Sequence, residues 1–379
     1  MDDILLYELI NKYLSGIASE DEVKQLETWY HNNLSENVIV SFDSKAEKDK
    51  LMTSMRSHIK AYANNKQVVQ KSKSKFYYIT YAASIIILLG IGYALWQYFS
   101  TTHQTNKTQL VKTKDIQPGH NGAILTLSDG SKYVLDSAGN GMLTTQAGAS
   151  ISKQGDQIVY NKAADKPSAI VYNTLIVPKG RQFKVVLPDG TGVWLNSASS
   201  LKYPTSFTEK ERIVELRGEA YFEVTHDAHQ PFKVKIGNTV AEDLGTAFNI
   251  DGYEDEPAVK TTLIRGSVKV SGIKDSRILN PGEQAVSTTN KLIVSTIDTS
   301  QVLAWKDGFF QFDEAELPII MKQLARWYNI DIVFAGNIPS RKFYGRINRN
   351  MNLSNVLNLL EQNQVHFNLE DGHKLIVKP

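Results

Sequence analysis

The sequence predicts a multidomain membrane protein. Its parts are a small all-α head, one transmembrane helix, an all-β domain of solenoid or sandwich type, and a C-terminal α+β domain of βαββαβ type. Three observations predict it. A run without any charged residue, Phe76–Asn106, follows a stretch of helical periodicity. Between residues 118 and 300 short apolar runs recur, separated by turn signals. From residue 306 to the end, helix-period and strand-period segments alternate.

The head comprises residues 1–70. DDILLYELINKYLSG carries apolar residues at helical spacing, and Gly16 closes it. Ser19-Glu20-Asp21-Glu22 reads as a capping box: a serine N-cap is followed three residues later by a glutamate that reaches back to its N–H. The helix opened there brings Val23, Leu26 and then Trp29 or Tyr30 onto one stripe. A third helix is expected near 43–63, with Leu51, Met52, Met55 and Ile59 on one face. Three short amphipathic helices make a marginal core, so their apolar stripes are as suited to a partner helix as to one another.

FYYITYAASIIILLGIGYALWQYF (76–99) is long enough to cross ~30 Å of hydrocarbon as a helix. Tyr77, Tyr78 and Tyr81 stand near one end and Trp96, Tyr98 and Phe99 near the other, as interfacial aromatic residues do. Arg56, Lys60, Lys66, Lys71, Lys73 and Lys75 precede it, and no acid occurs between Asp49 and Asp115. The positive-inside rule then predicts a single pass with the N-terminus cytoplasmic; for a bacterial chain with two membranes the span crosses the inner membrane and the C-terminus is periplasmic. Residues 100–117 are polar and read as a linker.

The β region (118–300, core 175–272) contains a repeated pattern. ILTLSDGSKYVLDSAG (124–139) and KVVLPDGTGVWLNSAS (184–199) align without a gap. Leu127, Asp129, Gly130 and Leu135 match Leu187, Asp189, Gly190 and Leu195. In Pro188-Asp189-Gly190, proline fixes φ, aspartate tolerates the second turn position and glycine accepts φ > 0. Turn chemistry accounts for Asp129, Gly130, Asp189 and Gly190 as structural markers. Several strands, such as Val185-Val186-Leu187 and Val193-Trp194-Leu195, are apolar on both faces. Such strands fit a sandwich or a wound solenoid.

In the last domain (306–379), FFQFDE, DIVFA, FYGRIN, VHFNLE and HKLIVK read as strands. LPIIMKQLARWYN and MNLSNVLNLLEQNQ read as helices, the first with Pro318 in its opening turn.

Composition narrows the function classes. The net charge is +2, and residues 1–75 hold equal numbers of acidic and basic side chains, so the basic excess of a nucleic-acid binder is missing. The absence of cysteine excludes disulfides, thiolate zinc sites and thiol nucleophiles. No phosphate loop and no Gly-x-Ser-x-Gly elbow occurs. His226 and His229 lie in an HDAH stretch without a third ligand nearby, and Glu215, Glu219 and Glu223 alternate with apolar residues as on a solvated strand face. No enzyme, cofactor or metal site is expected. What remains is an architecture suited to signal transmission.

These residues resemble a family. KYLSGIASEDEVKQLETWY in the head is similar to the opening helix pair of the FecR-like transmembrane anti-sigma factors of Bacteroidota type. LPDGTGVWLNSASSLKYP, RIVELRGEAYFEV, PFKV, LGTAFNI, TLIRGSVKV and LNPGEQA then follow the family pattern in order. WKDGFFQFDEAELPIIMKQLARWYNIDIVF resembles its C-terminal domain, itself similar to the small signalling domains of secretins and TonB-dependent transducers. The resemblance implies cell-surface signalling. The head would sequester an extracytoplasmic-function sigma factor, and the periplasmic part would sense the signalling domain of a TonB-dependent outer-membrane receptor. Proteolysis by envelope proteases would be one route of release. The sigma-factor-binding candidates it implies are Tyr13, Leu14, Val23, Leu26, Trp29 and Tyr30. The copy of the Asp-Gly pattern at 124–138 lies before the family's usual start, as an extra coil or a separate cap. The competing class is a membrane-anchored periplasmic binding or scaffold protein without sigma-factor control.

Overall fold

A computed structural model of the protein describes residues 19, 21–22, 25, 38–42, 115–162, 170–243, 245–336, 340–363 and 365–379. The chain divides into two compact units, Met1–Leu26 with Ala46–Lys114, and Glu27–Lys45 with Asp115–Pro379.

In the first unit the capping box is formed. Ser19 Oγ accepts from Glu22 N at 3.3 Å, and Ser19 N donates to Glu22 Oε2 at 2.9 Å. The reciprocal bonds satisfy donors that a helix start leaves without an intrahelical partner.

The second unit holds a β region and an α+β domain. In the β region two sheets share the long strand Arg212–Glu223. One sheet runs, in hydrogen-bonded order, through Lys132–Val134, Ile124–Thr126, Tyr172–Val177, Ser199–Pro204, the first half of the shared strand, Phe232–Ile236, Thr239–Asp243, Val268–Ser271 and Ser276–Leu279. The other joins Arg181–Val186, Gly192–Leu195, the second half of the shared strand, Ala247–Gly252, Val259–Arg265, Glu283–Ser287 and Leu292–Thr296. Gly141–Gln146, Ala149–Gln154 and Gln157–Lys162 extend it beyond Arg181–Val186. The shared strand passes between sheets at Gly218, where φ is +84° and a Cβ would lie 2.4 Å from Ser199 Oγ. Only glycine serves there. One core fills the space between, with Leu125, Leu135, Val185, Leu195, Phe222, Phe232 and Phe248 fully buried.

The early copy of the Asp-Gly pattern belongs to this same unit. Ile124–Thr126 pairs with both Lys132–Val134 and Tyr172–Val177, and its Leu127 and Leu135 enter the same core as Leu187 and Leu195. It is a further strand pair of the first sheet, not a separate cap.

Three helices have defined bounds among the described residues: α1 (Thr299–Leu303), α2 (Leu317–Tyr328) and α3 (Leu353–Glu361). In α2 the buried residues Leu317, Ile320, Met321, Leu324, Trp327 and Tyr328 form one stripe, which explains why an amphipathic sequence docks there. Pro318 sits in its first turn, and Asn329, at φ +51°, closes it in the left-handed conformation with its N–H on Ala325 O. Strands Phe309–Glu316, Lys342–Asn348 and Val38–Phe42 form one small sheet. Asp331–Phe334, Lys374–Lys378 and His366–Glu370 form another. The start of the domain is anchored by the end of the expected linker. Ile116 packs on its core, and Asp115 accepts from Ser354 Oγ at 2.7 Å.

The expected fold class is corrected by this structure. The described chain is mainly β, and none of its helices is long and apolar enough to cross a membrane. The segment 76–99 lies outside the described residues. The region expected to be an all-α head contributes a strand, Val38–Phe42, paired antiparallel with Lys342–Asn348. Its sequence VIVSF is a β-branched and aromatic run of high strand propensity. The helical period on either side of it concealed that signal.

Candidate functional site

The two Asp-Gly turns are superposable in their bonds. Leu127 N donates to Ser131 O at 2.9 Å, and Leu187 N to Thr191 O at 2.9 Å. Gly130 and Gly190 both adopt φ +86°. Asp129 Oδ1 accepts from Ser131 N at 2.9 Å and Asp189 Oδ1 from Thr191 N at 3.0 Å. The copies then differ. Asp129 is exposed, and the hydrogen bond from Ser131 holds its carboxyl below the ordinary value. Asp189 Oδ2 instead meets Arg212 Nη1 at 2.6 Å, and that arginine side chain is 2% exposed. Arg212 also donates to Gln230 O (2.7 Å) and Thr225 O (2.8 Å). The second turn is thus an anchor for a buried cation.

The candidates for sigma-factor binding, Tyr13, Leu14, Val23, Leu26, Trp29 and Tyr30, lie outside the described residues. Among the described residues no group of three or more His, Asp or Glu side chains is placed to hold a metal.

The most unusual chemistry lies where the β region meets the α+β domain. Glu219, expected on a solvated face with Glu215 and Glu223, is the exception among the three. Glu215 and Glu223 are exposed, whereas Glu219 is half-buried. It accepts from Asn196 Nδ2 at 2.8 Å and from Asn249 Nδ2 at 3.1 Å. Both amides are thereby turned so that their oxygens point to the other side of the joint. Asn196 Oδ1 accepts from Arg349 Nη2 at 3.0 Å, and Asn249 Oδ1 from Trp305 Nε1 at 3.3 Å. Arg349 is 3% exposed. Its Nη1 donates to Trp305 O at 2.9 Å, and its guanidinium stacks 3.8 Å from the Trp327 ring centre.

A second layer reinforces the joint. Arg326 of α2 reaches Asp255 and Glu256 at 3.3 Å each and stacks 3.9 Å over Tyr253. Gly180 N donates to Arg326 O at 2.7 Å, and Gly119 lies so close to Trp327 that a Cβ would sit 2.7 Å from the ring. Burial, reinforced by the charge of Asp251, pushes the Glu219 carboxyl up to about 7. Burial also lowers Arg349 to about 10, which leaves it charged at neutral pH.

Alternation made Glu219 look solvated because it assumes one environment along a strand. The strand changes sheets at Gly218, and the outer face of the second sheet is covered by the C-terminal domain. Two signals were available: a glycine inside the alternation and an asparagine, Asn249, inside a strand, where asparagine is depleted.

A two-sheet β region is clasped through buried polar contacts to a small α+β domain. Residues 173–269 match the family model described as FecR protein, and residues 309–377 match FecR, C-terminal. Two solved structures assigned as an anti-sigma factor from Parabacteroides distasonis ATCC 8503 are each 29% identical to the chain. One covers 54% of this chain and 97% of its own at a TM-score of 0.50. The other covers 55% and 98% at 0.51. No protein of curated function is significantly similar. These matches support a FecR-like protein related to anti-sigma signalling regulators.

Proposed function

We propose that the protein sequesters an extracytoplasmic-function sigma factor and releases it when the signalling domain of a TonB-dependent receptor engages the C-terminal part. The observation that carries this reading is the pair of consecutive FecR and FecR C-terminal regions, together with the likeness to a solved structure assigned as an anti-sigma factor. The head supplies the sigma-binding surface through Tyr13, Leu14, Val23, Leu26, Trp29 and Tyr30. Envelope proteases act at release. The reading assigns no catalysis to the chain.

The test is co-purification of the full chain with its candidate sigma factor, followed by transcription from a promoter dependent on that factor. Binding by the native chain, weakened at least tenfold by Trp29→Ala with Tyr30→Ala, is expected. A folded chain that retains no sigma factor refutes the proposal.

The same reading puts the head on the cytoplasmic side of the inner membrane and residues beyond 118 in the periplasm. Its support is the charge-free run Phe76–Asn106 and the cationic stretch before it. The pairing of Val38–Phe42 with Lys342–Asn348 requires both segments on one side of a membrane. The two arrangements are mutually exclusive, and the chain has no cysteine to complicate labelling. Under the proposed topology, an impermeant maleimide applied to spheroplasts labels Lys269→Cys and spares Ser41→Cys. Equal labelling refutes the topology.

A further inference from the structure

Beneath the joint, Glu219 stands directly opposite Asp251 on the neighbouring antiparallel strand. Side chains so opposed have Cβ atoms about 4.5–5.5 Å apart on one face of the sheet. The hydrogen-bonding pattern around the two carboxyls is incomplete in one place. Both Glu219 oxygens accept from side-chain amides. Asp251 Oδ2 faces Lys260 Nζ at 3.5 Å. Asp251 Oδ1, however, is buried without a hydrogen-bond partner among the described residues. Leaving a buried acceptor unpaired is costly. A carboxylic acid offers one O–H donor and still accepts through its remaining lone pairs.

We propose that Glu219 and Asp251 share one proton, donated from the Glu219 carboxyl to Asp251 Oδ1, and that this protonated pair holds the joint between the β region and the C-terminal domain closed. The proton gives Asp251 Oδ1 a donor without disturbing the amides. Asn196 and Asn249 still donate to Glu219, and their oxygens still receive Arg349 and Trp305. Losing the proton leaves two partly buried carboxylates facing each other. Opening the joint relieves that repulsion by admitting water.

The charged and titratable groups around the pair come from every element packed on it. Asp251 lies on the adjacent strand, Lys260 on the next, and Tyr253 and Glu256 on the following turn. Arg326 comes from α2, and Arg349 from the end of Lys342–Asn348. The arginines and Lys260 oppose protonation, while burial and the facing carboxylate favour it. Burial is the largest influence on both acids and raises each from its ordinary value, Glu219 to about 7. Because the closed state holds the proton more tightly than the open or unfolded state, closure is favoured at acidic pH. It weakens as the pH rises through about 7.

The experiment uses the full chain with paired spin labels on Lys269→Cys and Glu361→Cys, one in each domain. Between pH 5 and 8 the native inter-label distance distribution should pass from narrow to broad with a midpoint near neutrality. Asp251→Asn, which removes the second charge and can bridge to Glu219 through its amide, should stay narrow throughout. Asp243→Asn is the control, because burial raises Asp243 to about 6 at a separate place; it should broaden as the native chain does. A native-like pH response in Asp251→Asn overturns the proposal, as does a native distribution that ignores pH. If Asp251→Asn fails to fold, infrared titration of Asp243→Asn decides. A protonated carboxyl band persisting to neutral pH supports the shared proton, and its loss by pH 5.5 overturns it.

Discussion

Arg349→Met tests the joint most directly. The substitution keeps most of the volume against Trp327 and Phe310 but removes the guanidinium. Two hydrogen bonds vanish, to Trp305 O and to Asn196 Oδ1. Hydrogen bonds from a charged group contribute about 1.5–3 kcal/mol each. Two facts reduce the total. Arg349 Nε is buried without an acceptor among the described residues, so the native side chain already carries an uncompensated cost. Asn196 Oδ1 also accepts from Ser197 N at 2.9 Å, so it is not left bare. A loss of about 3 kcal/mol is expected, near the lower bound for breaking a buried polar arrangement. For a unit of this size that is on the order of 10 °C in thermal midpoint. Scanning calorimetry on the full chain measures it, and limited proteolysis should reveal new cleavage within residues 297–308. A midpoint within ~2 °C of native, with no new cleavage, would refute the view that Arg349 carries the joint.

Other outcomes follow from the same geometry. Asp189→Ala strands the buried Arg212 and should cost about 3 kcal/mol, whereas Asp129→Ala, its exposed counterpart, should cost far less; chemical denaturation compares them. Gly218→Ala combines a left-handed backbone with a Cβ in contact with Ser199 and should lose about 2–5 kcal/mol. Gly130→Ala has open space around the Cβ and should lose only the backbone strain of about 1–2 kcal/mol. Trp327→Ala empties the contact with Gly119 and with Arg349 and should cost about 3–5 kcal/mol, read as a lowered thermal midpoint.

Much of the β region and the C-terminal domain was legible because the signals there are local. The Asp-Gly turns need glycine at positive φ, and the doubly apolar strands need cover on both faces. The stripe from Leu317 to Tyr328 needs a core three to four residues apart. Each requirement is met by neighbours in sequence, so the pattern itself specifies the element. The capping box at Ser19 and Glu22 is local in the same sense. The strand Val38–Phe42 was missed because its partner, Lys342–Asn348, is remote in sequence, and a single strand gains its hydrogen bonds only from that pairing.

The clasp could not be read this way. Arg349, Asn196, Glu219 and Asn249 lie on four separate segments, and none stands out by type or spacing. The sequence by itself determined the turns, the sheet-forming runs and the amphipathic helices, because short-range sterics and periodicity dictate them. Only the tertiary structure decided that the face bearing Glu219 is covered. A carboxylate becomes a proton-binding group when water is taken from it and a second charge is set opposite. Both are done by residues that meet only when the chain has folded.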